Sequence, residues 1–317
     1  MIVINSTKVS FFTLAAYSDT GLLKYIYFII MMCIYVLIIC ANLLLVVVIC
    51  MNGSLHEPMY IFLCSLFVNE LFGSTGLFPF LLVQILSDIH TVSVPFCFLQ
   101  IFCSYSYVTV EFTNLAVISY DRYVAICYPL QYNVNMTSFK VTMLIAVVWL
   151  PPFLVVFVTT VLTASLQLCG NIINKVYCNN YSIIKLSCFD TKTNNYYELT
   201  AATSIICVSL SVTFYTYMKI LQVCYSGSKQ TRQKAVSTCT PHLASLLNYY
   251  LGAFFLLLEN RFNMNSVPYM LQILLSLYFL ICQPLLNPLI YGLNMSKVRV
   301  KCKNIFFRSF GKIKTSS

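Results

Sequence analysis

The sequence predicts an all-α membrane protein, a bundle of seven transmembrane helices with the N-terminus outside. Of its 317 residues, 59% are hydrophobic and only 9% are charged, whereas soluble domains carry about 25% charged residues. Seven apolar stretches recur along the chain, each long enough to cross a bilayer as a helix. Of 19 Lys and Arg, 7 lie between Lys297 and Lys314, the bias typical of a cytoplasmic segment. Because an odd number of spans puts the two ends of the chain on opposite sides of the membrane, the N-terminus is predicted to lie outside.

Three segments are expected from this pattern: an extracellular N-terminus at 1–24, a membrane domain at 25–293 and a cytoplasmic tail at 294–317. The tail alternates basic residues with Val, Ile and Phe, which predicts an amphipathic helix on anionic membrane lipids. The net charge of +10 is concentrated at membrane boundaries, which argues against a nucleic-acid partner. Asn5 and Asn180 head glycosylation sequons on the predicted outer side.

The bounds of each span follow from the length of its apolar stretch and from prolines that mark helix starts or kinks. Span two begins at Pro58, where a proline in the first helical turn loses no hydrogen bond. Pro151 and Pro152 predict a kink in span four. A long loop at 163–195 precedes span five. Apart from span two, the spans are predicted at 25–51, 98–119, 141–162, 196–224, 234–258 and 267–293.

Four of the 15 cysteines lie outside the apolar stretches, at or between span ends on one side. A free cysteine inside a span behaves as a small hydrophobic residue. An even set on an oxidising face predicts two disulfides, with three possible connectivities. The four are Cys97, Cys169, Cys178 and Cys188.

Charged residues within spans are costly and mark functional sites. Glu70 and Glu111 fall inside spans two and three. Asp121 and Arg122 stand side by side where span three meets the membrane boundary, followed by Tyr123. An arginine there can snorkel to water, pair with the neighbouring acid, or lie over a cavity that opens and closes.

Four strings resemble the motifs of vertebrate odorant receptors, within the rhodopsin-like family of G-protein-coupled receptors. They appear in the family's order and cover the chain from 55 to 291. They are Leu55-His-Glu-Pro-Met-Tyr60; Ser119-Tyr-Asp-Arg-Tyr-Val-Ala-Ile-Cys127 with Tyr128-Pro-Leu-Gln-Tyr132; Lys234-Ala-Val-Ser-Thr-Cys-Thr-Pro-His-Leu243; and Pro284-Leu-Leu-Asn-Pro-Leu-Ile-Tyr291.

The resemblance implies a multi-pass plasma-membrane receptor, not an enzyme, with no cofactor. It implies that a small-molecule odorant binds between spans three, five and six. The receptor then activates a stimulatory, olfactory-type heterotrimeric G protein and raises cyclic AMP. It also implies the disulfides Cys97–Cys178 and Cys169–Cys188. The switch and coupling residues it implies are Asp121, Arg122, Tyr123, Asn287, Pro288 and Tyr291.

Two further expectations compare the chain with the family pattern. The family places Glu70 and Glu111 on facing helices at similar depth, which suggests a shared site for Na⁺ or a proton; alternatively, both are protonated and hydrogen-bonded. Where the family has Ser-Tyr near the inner end of span five, this chain has Ser209-Leu210. A tyrosine at that place is therefore expected to be missing.

The predicted ligand site lies in the outer half of the bundle, on one face of span three and the matching face of span six. Ordinary interhelical packing is the alternative for these residues. Glu198 and Arg261 either reach water at the interface or select charged ligands, an amine or a carboxylate respectively. The remaining predicted ligand residues are Ser104, Tyr105, Val108, Thr109, Phe112, Tyr250, Ala253, Phe254 and Leu257.

Other functional classes have weaker support in the sequence. A transporter or channel calls for inverted repeats or a path of charges, and two acids at one depth fall short of that. A membrane enzyme calls for a nucleophile–base pair or a metal site, but His56, His90 and His242 are not in ligand spacing, so no metal is predicted. A non-olfactory chemosensory receptor of the same fold remains the alternative.

Overall fold

The computed structural model describes residues 9–17, 21–261, 269–295 and 297–302, without the side chains of 231, 234, 257–261, 269–276 and 279. Most of these residues are helical. The helices are α1 (Leu23–Met51), α2 (Pro58–Leu86), α3 (Val94–Cys127), α4 (Tyr132–Asn135), α5 (Ser138–Ala164), α6 (Asn180–Lys185), α7 (Lys192–Ser226), α8 (Lys229–Arg261) and α9 (Tyr269–Asn294). The strands are β1 (Phe11–Leu14), β2 (Thr91–Ser93) and β3 (Ile172–Ile173).

The long helices coincide with the predicted apolar stretches, and α4 and α6 are short helices in the connections. Within the described ranges, α1, α2, α3, α5 and α7 are long and apolar enough to cross a membrane. Some helices extend well beyond the predicted span. For example, α7 has 35 residues, about 50 Å at 1.5 Å per residue, whereas the hydrocarbon core is about 30 Å thick. Hydropathy reports only the part of a helix that lies in lipid, so these extensions were not predicted.

Helix α3 lies at the centre of the bundle and packs against α2, α5, α7 and α8. Two glycines let α2 approach it closely. A Cβ atom added to Gly73 would lie 2.4 Å from the Tyr107 ring, and one added to Gly76 would lie 2.7 Å from Cys103 Cβ. Any larger residue at Gly73 would push the two helices apart. This close approach sets the spacing between the acids of α2 and α3.

A small sheet covers one end of the bundle, and the all-α prediction misses it. Strand β1 pairs antiparallel with β2, with Phe12 opposite Val92, and parallel with β3, with Leu14 opposite Ile173. Phe12 and Leu14 are buried beneath the sheet. The strands are two to four residues long and come from distant parts of the chain, so no local periodicity could reveal their pairing.

One disulfide holds the long loop to this end of the bundle, here called the loop end, and a second closes the loop on itself. Cys97 at the start of α3 is bonded to Cys178, and Cys169 is bonded to Cys188 within the loop. The Cys178 backbone N–H also donates to Gln100 Oε1 at 2.8 Å. These are the two pairings that the resemblance implies. The opposite end of the bundle, where α3 ends, is here called the Arg122 end.

Candidate functional site

A buried cluster of polar side chains joins α2, α3 and α9 in the middle of the bundle. Asn287 Nδ2 donates to Glu70 Oε1 at 2.5 Å and to Glu111 Oε1 at 3.2 Å. Tyr107 donates its hydroxyl to Glu70 Oε2 at 2.9 Å, and Asn69 Nδ2 donates to Glu111 Oε2 at 2.9 Å. Both acids are fully buried. The Asn287 amide therefore bridges the carboxyl groups of Glu70 and Glu111. The sequence placed these two acids at similar depth but did not predict the bridge.

The same cluster contains oxygen atoms that accept or donate no hydrogen bond within it. Asn69 Oδ1 and the Ser74 hydroxyl, one turn along α2 from Glu70, are buried and have no hydrogen-bond partner among the residues that the structure describes. Two adjacent buried carboxylates are unfavourable unless a proton or a cation offsets their charge. Carboxylate, amide and hydroxyl oxygens are the ligands that hard cations prefer. The cluster therefore suits one proton or one small cation.

At the Arg122 end, Arg122 is buried and pairs with its neighbour. Its Nε and Nη2 both donate to Asp121 Oδ2, the former at 3.1 Å. The Tyr132 hydroxyl, from α4, donates to Asp121 Oδ1 at 2.6 Å. Burial, followed by the Asp121 carboxylate, raises the pKa of Tyr132 above its usual value, which keeps the hydroxyl protonated as a donor. This geometry supports the paired arginine over the snorkelling one.

Sequence reasoning gave Tyr132 no role, although it ends one of the quoted strings. Tyr123, the third residue of the predicted coupling set, lies in an aromatic cluster beside this pair. Its ring meets Tyr215 of α7 edge-on at 6.0 Å, and its hydroxyl lies 3.3 Å from that of Tyr128.

A different tyrosine of α7, Tyr217, lies about two helical turns beyond Leu210. Tyr217 of α7 stacks on His242 with ring centroids 6.1 Å apart and lies within electrostatic range of Arg122. His242 Nδ1 is 3.0 Å from the Tyr291 hydroxyl. Position 210 is a leucine, as the expectation states, but Tyr217 supplies a tyrosine seven residues further along α7. The available signal was Thr216-Tyr217, a conservative form of Ser-Tyr closer to the end of the helix.

Some of the predicted ligand residues meet between α3 and α8, through a tyrosine that sequence reasoning missed. Tyr249 is fully buried, and its hydroxyl donates to the Val108 carbonyl at 2.6 Å. Its ring meets Phe112 edge-on at 4.7 Å, and the Tyr250 ring lies 5.5 Å from Phe112. Ala253 is buried one turn along the same face of α8. The helical period indicated this face, but it could not identify Tyr249 as the residue that crosses to α3.

Other predicted ligand residues lie elsewhere or satisfy local bonds. Ser104 is buried on α3, and the Thr109 hydroxyl donates to the Tyr105 carbonyl of its own helix at 2.9 Å. Phe254 is 55% exposed and its ring lies 6.1 Å from that of Phe255, so its role in ligand binding stays a prediction. A side chain one position past the contact face of a helix points away from its neighbour. The side chains of Leu257 and Arg261, and all of Asn5, fall outside the described residues.

Glu198 points into the loop end of the bundle and not to the interface. It is partly buried, and its carboxylate accepts hydrogen bonds from the Tyr105 hydroxyl at 3.3 Å and from Asn180 Nδ2 at 3.0 Å. Asn180 is fully buried in this arrangement. The sequon at Asn180 is thus not an accessible glycosylation site in this fold, because its amide nitrogen is enclosed and already engaged.

These features define a class: a polytopic helical membrane protein with a buried polar core and an Asp-Arg pair at one end. Comparison with known proteins identifies the family. The model of the olfactory receptor family matches residues 31–309. The chain is 31% identical to olfactory receptor 8U3 of Mus musculus over 316 residues, covering 99% of this chain and 98% of that one. It is 33% identical to olfactory receptor 8U1 of Homo sapiens over 304 residues, covering 95% and 97%.

The chain belongs to the olfactory receptor family. It is a multi-pass plasma-membrane protein of the G-protein-coupled class, an odorant receptor and not an enzyme.

Proposed function

We propose that an odorant binds between α3, α7 and α8 near the loop end and activates a stimulatory, olfactory-type G protein at the Arg122 end, raising cyclic AMP. One observation carries this proposal. Three side chains on successive turns of α8 contact α3 and two positions of α9. Tyr249 bonds to Val108 of α3, Ser245 donates to Asn287 Oδ1 at 2.7 Å, and His242 meets Tyr291. A shift of α8 therefore acts on all three at once.

The mechanism is a shift between two populations of the receptor. An odorant that binds more tightly when α8 is displaced favours the displaced state by that difference in affinity. Displacement alters the Tyr249 contact first and the His242 contact at the far end. Tyr217, stacked on His242, is the link to Arg122. Release of Arg122 from Asp121 would open a cytoplasmic surface for the G protein.

The membrane topology belongs to the same proposal: seven spans, the N-terminus and the loop end outside, and the Arg122 end in the cytoplasm. Positive charge supports this orientation. Residues 297–302 are helical, and Lys297 bonds to Glu57 at 2.7 Å across the Arg122 end. The basic tail then lies on the anionic inner leaflet. Nucleic acid has no place among the proposed partners.

The ligand site is tested by filling it. Val108→Phe and Ala253→Phe should each raise the odorant concentration for half-maximal cyclic AMP by about tenfold or more, because overpacking of a close interhelical contact costs about 1–3 kcal/mol. The measurement is a dose–response series with a chemically broad odorant panel, normalised to surface staining. Leu247→Phe, at a 72% exposed position of the same helix, is the matched control. Unchanged potency in both test variants would place the pocket elsewhere.

For the acid cluster we propose a single exchangeable positive charge, a sodium ion or a proton. We expect NaCl to raise the melting temperature of the purified receptor above that in N-methylglucamine chloride of equal ionic strength, because a ligand of the folded state stabilises it. Glu111→Gln should remove the difference, and Glu57→Gln, an exposed acid paired with Lys297, should retain it. A melting temperature that responds to acid and not to sodium assigns the proton. Indifference to both contradicts the proposal.

A further inference from the structure

Two hydroxyl groups face each other between α7 and α8. The hydroxyl of Thr213, on α7, lies beside that of Tyr250, on α8. Both oxygen atoms are buried, but the two groups do not meet in hydrogen-bond geometry, and neither has another hydrogen-bond partner among the residues that the structure describes. Burial of a hydroxyl group without a partner is unfavourable. Two such groups side by side therefore indicate a place where a ligand can bind.

The Thr213 hydroxyl differs from those of several other helical threonines. A threonine within a helix can satisfy its hydroxyl by donating to the carbonyl three or four residues before it. Thr216, also on α7, donates in this way to the Thr213 carbonyl at 2.9 Å, and Thr109 and Thr113 of α3 form equivalent bonds at 2.9 Å each. No such bond is formed by the Thr213 side chain within the described part of the chain. Its hydroxyl is therefore available to a group bound beside Tyr250.

The hydroxyl pair adjoins both the proposed ligand site and the proposed route of activation. The ring of Tyr250 lies 5.5 Å from that of Phe112 on α3. Tyr217, which stacks on His242, follows Thr213 by four residues on α7, and this spacing places both on one face of the helix, about one turn apart. A ligand that contacts the pair therefore lies between the apolar α3–α8 contact and the stack at His242.

The two hydroxyls select a neutral hydrogen-bond acceptor. Each has one hydrogen to donate, and a carbonyl oxygen has two lone pairs, so one carbonyl can accept from both. Because the hydroxyl groups are neighbours, one oxygen atom placed between them is within reach of each. Burial and the Thr213 hydroxyl are the influences on the Tyr250 hydroxyl, with no charged side chain of the described residues among them. A charged ligand would lose its hydration there without gaining a partner.

Other neutral ligands match the pair less well. An alcohol adds a third hydroxyl hydrogen, so one of the three hydrogens must turn back to a helix carbonyl or stay unbonded. A hydrocarbon accepts no hydrogen bond and leaves both donors unpaired, which is unfavourable in a buried place. For one carbon skeleton, the expected order of affinity is therefore ketone, then alcohol, then hydrocarbon.

We infer that Thr213 and Tyr250 form a subsite for the carbonyl oxygen of a neutral aliphatic ketone or aldehyde odorant, to which both hydroxyls donate. The inference rests on the proposed ligand site between α3, α7 and α8, and names its ligand class. The hydrocarbon body of the odorant packs against Phe112 and the apolar side chains around it. The carbonyl group fixes the orientation of the odorant, as a few polar groups do in a mainly apolar site.

The experiment compares butyl, hexyl and octyl methyl ketone with the secondary alcohols and the alkanes that have the same carbon skeletons. Binding is measured as thermal stabilisation of the purified full-length receptor in lipid nanodiscs, and signalling as cyclic AMP in cells. Wild type should bind at least one ketone at about threefold to tenfold lower concentration than its alcohol, because only the ketone leaves no hydroxyl hydrogen unmatched. The alkane should bind more weakly than the alcohol.

The variants remove one hydroxyl at a time and keep the shape of the side chain. Thr213→Val and Tyr250→Phe should each raise the ketone concentration for half-maximal stabilisation by about tenfold, because the carbonyl loses one of its two donors. The alkane should bind each variant no more weakly than wild type. The matched controls are Thr160→Val, whose hydroxyl donates to the Val156 carbonyl of α5 at 2.8 Å, and Tyr27→Phe, on an exposed part of α1. Both should leave the ketone-to-alcohol ratio unchanged.

The outcomes separate this inference from the proposed function. If wild type binds no ketone more tightly than its alcohol, the carbonyl subsite is wrong, whether or not the variants fold. An unchanged ketone preference in both Thr213→Val and Tyr250→Phe overturns it as well. Preferential ketone binding without any rise in cyclic AMP would support the subsite and contradict the proposed coupling. Cyclic AMP signals to alcohols or alkanes alone would do the opposite.

Discussion

Arg122→Ala is expected to abolish odorant-driven cyclic AMP while the receptor still reaches the cell surface. Arg122 is buried and bonds twice to Asp121, whose other oxygen accepts from Tyr132. A buried guanidinium with this geometry is a strong, charge-assisted contact. In the proposed mechanism the same group leaves Asp121 and meets the G protein. Alanine removes both interactions, so the loss should reach the detection limit of the assay.

The measurement is cyclic AMP accumulation over a full odorant range, normalised to surface staining. Arg299→Ala replaces an exposed arginine of the tail and should retain most of the signal. Arg122→Lys keeps the charge but cannot reproduce the paired Nε and Nη2 bonds, so it should signal weakly. Normal signalling by Arg122→Ala at an unchanged surface level would remove Arg122 from the proposed mechanism.

Cys97→Ser and Cys178→Ser are each expected to prevent surface delivery. Both half-cystines are fully buried, and their bond ties α3 to a loop 81 residues away. A native disulfide typically contributes about 2–4 kcal/mol, a large part of the about 5–15 kcal/mol that keeps a domain folded. The bond also holds Tyr177 and Asn180 over α3, so its loss disorganises the proposed ligand site.

Surface staining of intact cells measures delivery, and peptide mapping under non-reducing conditions tests the pairing itself. Cys207→Ser changes a free, exposed cysteine of α7 and should reach the surface normally. The map should contain Cys97 linked to Cys178. A map with Cys97 free, or linked to Cys169, would show that the pairing is different in the cell.

The polar residues illustrate how far sequence patterns reach. Glu70 and Glu111 were recognisable because a charge within an apolar stretch is rare. Their bridge through Asn287 was not recognisable, since it depends on the approach of α2 to α3 at Gly73 and on the position of α9.

The cysteines also show what the sequence predicts and what it leaves open. Their number and placement predicted two bonds, but residues alone left three pairings open.

Apolar length and charge distribution, which the sequence alone contains, determined the membrane-crossing part of each long helix. Every backbone group that crosses lipid must be bonded within its own helix, so an apolar stretch of this length has to be helical. Only the tertiary structure decided which side chains meet. The 3.6-residue period selects a face of α8, yet Tyr249 crosses to α3 while Phe254 points outward. Asn180, which carries a sequon, is buried against Glu198 because a disulfide folds its loop inward. Such contacts join residues far apart in the chain, so no local pattern encodes them.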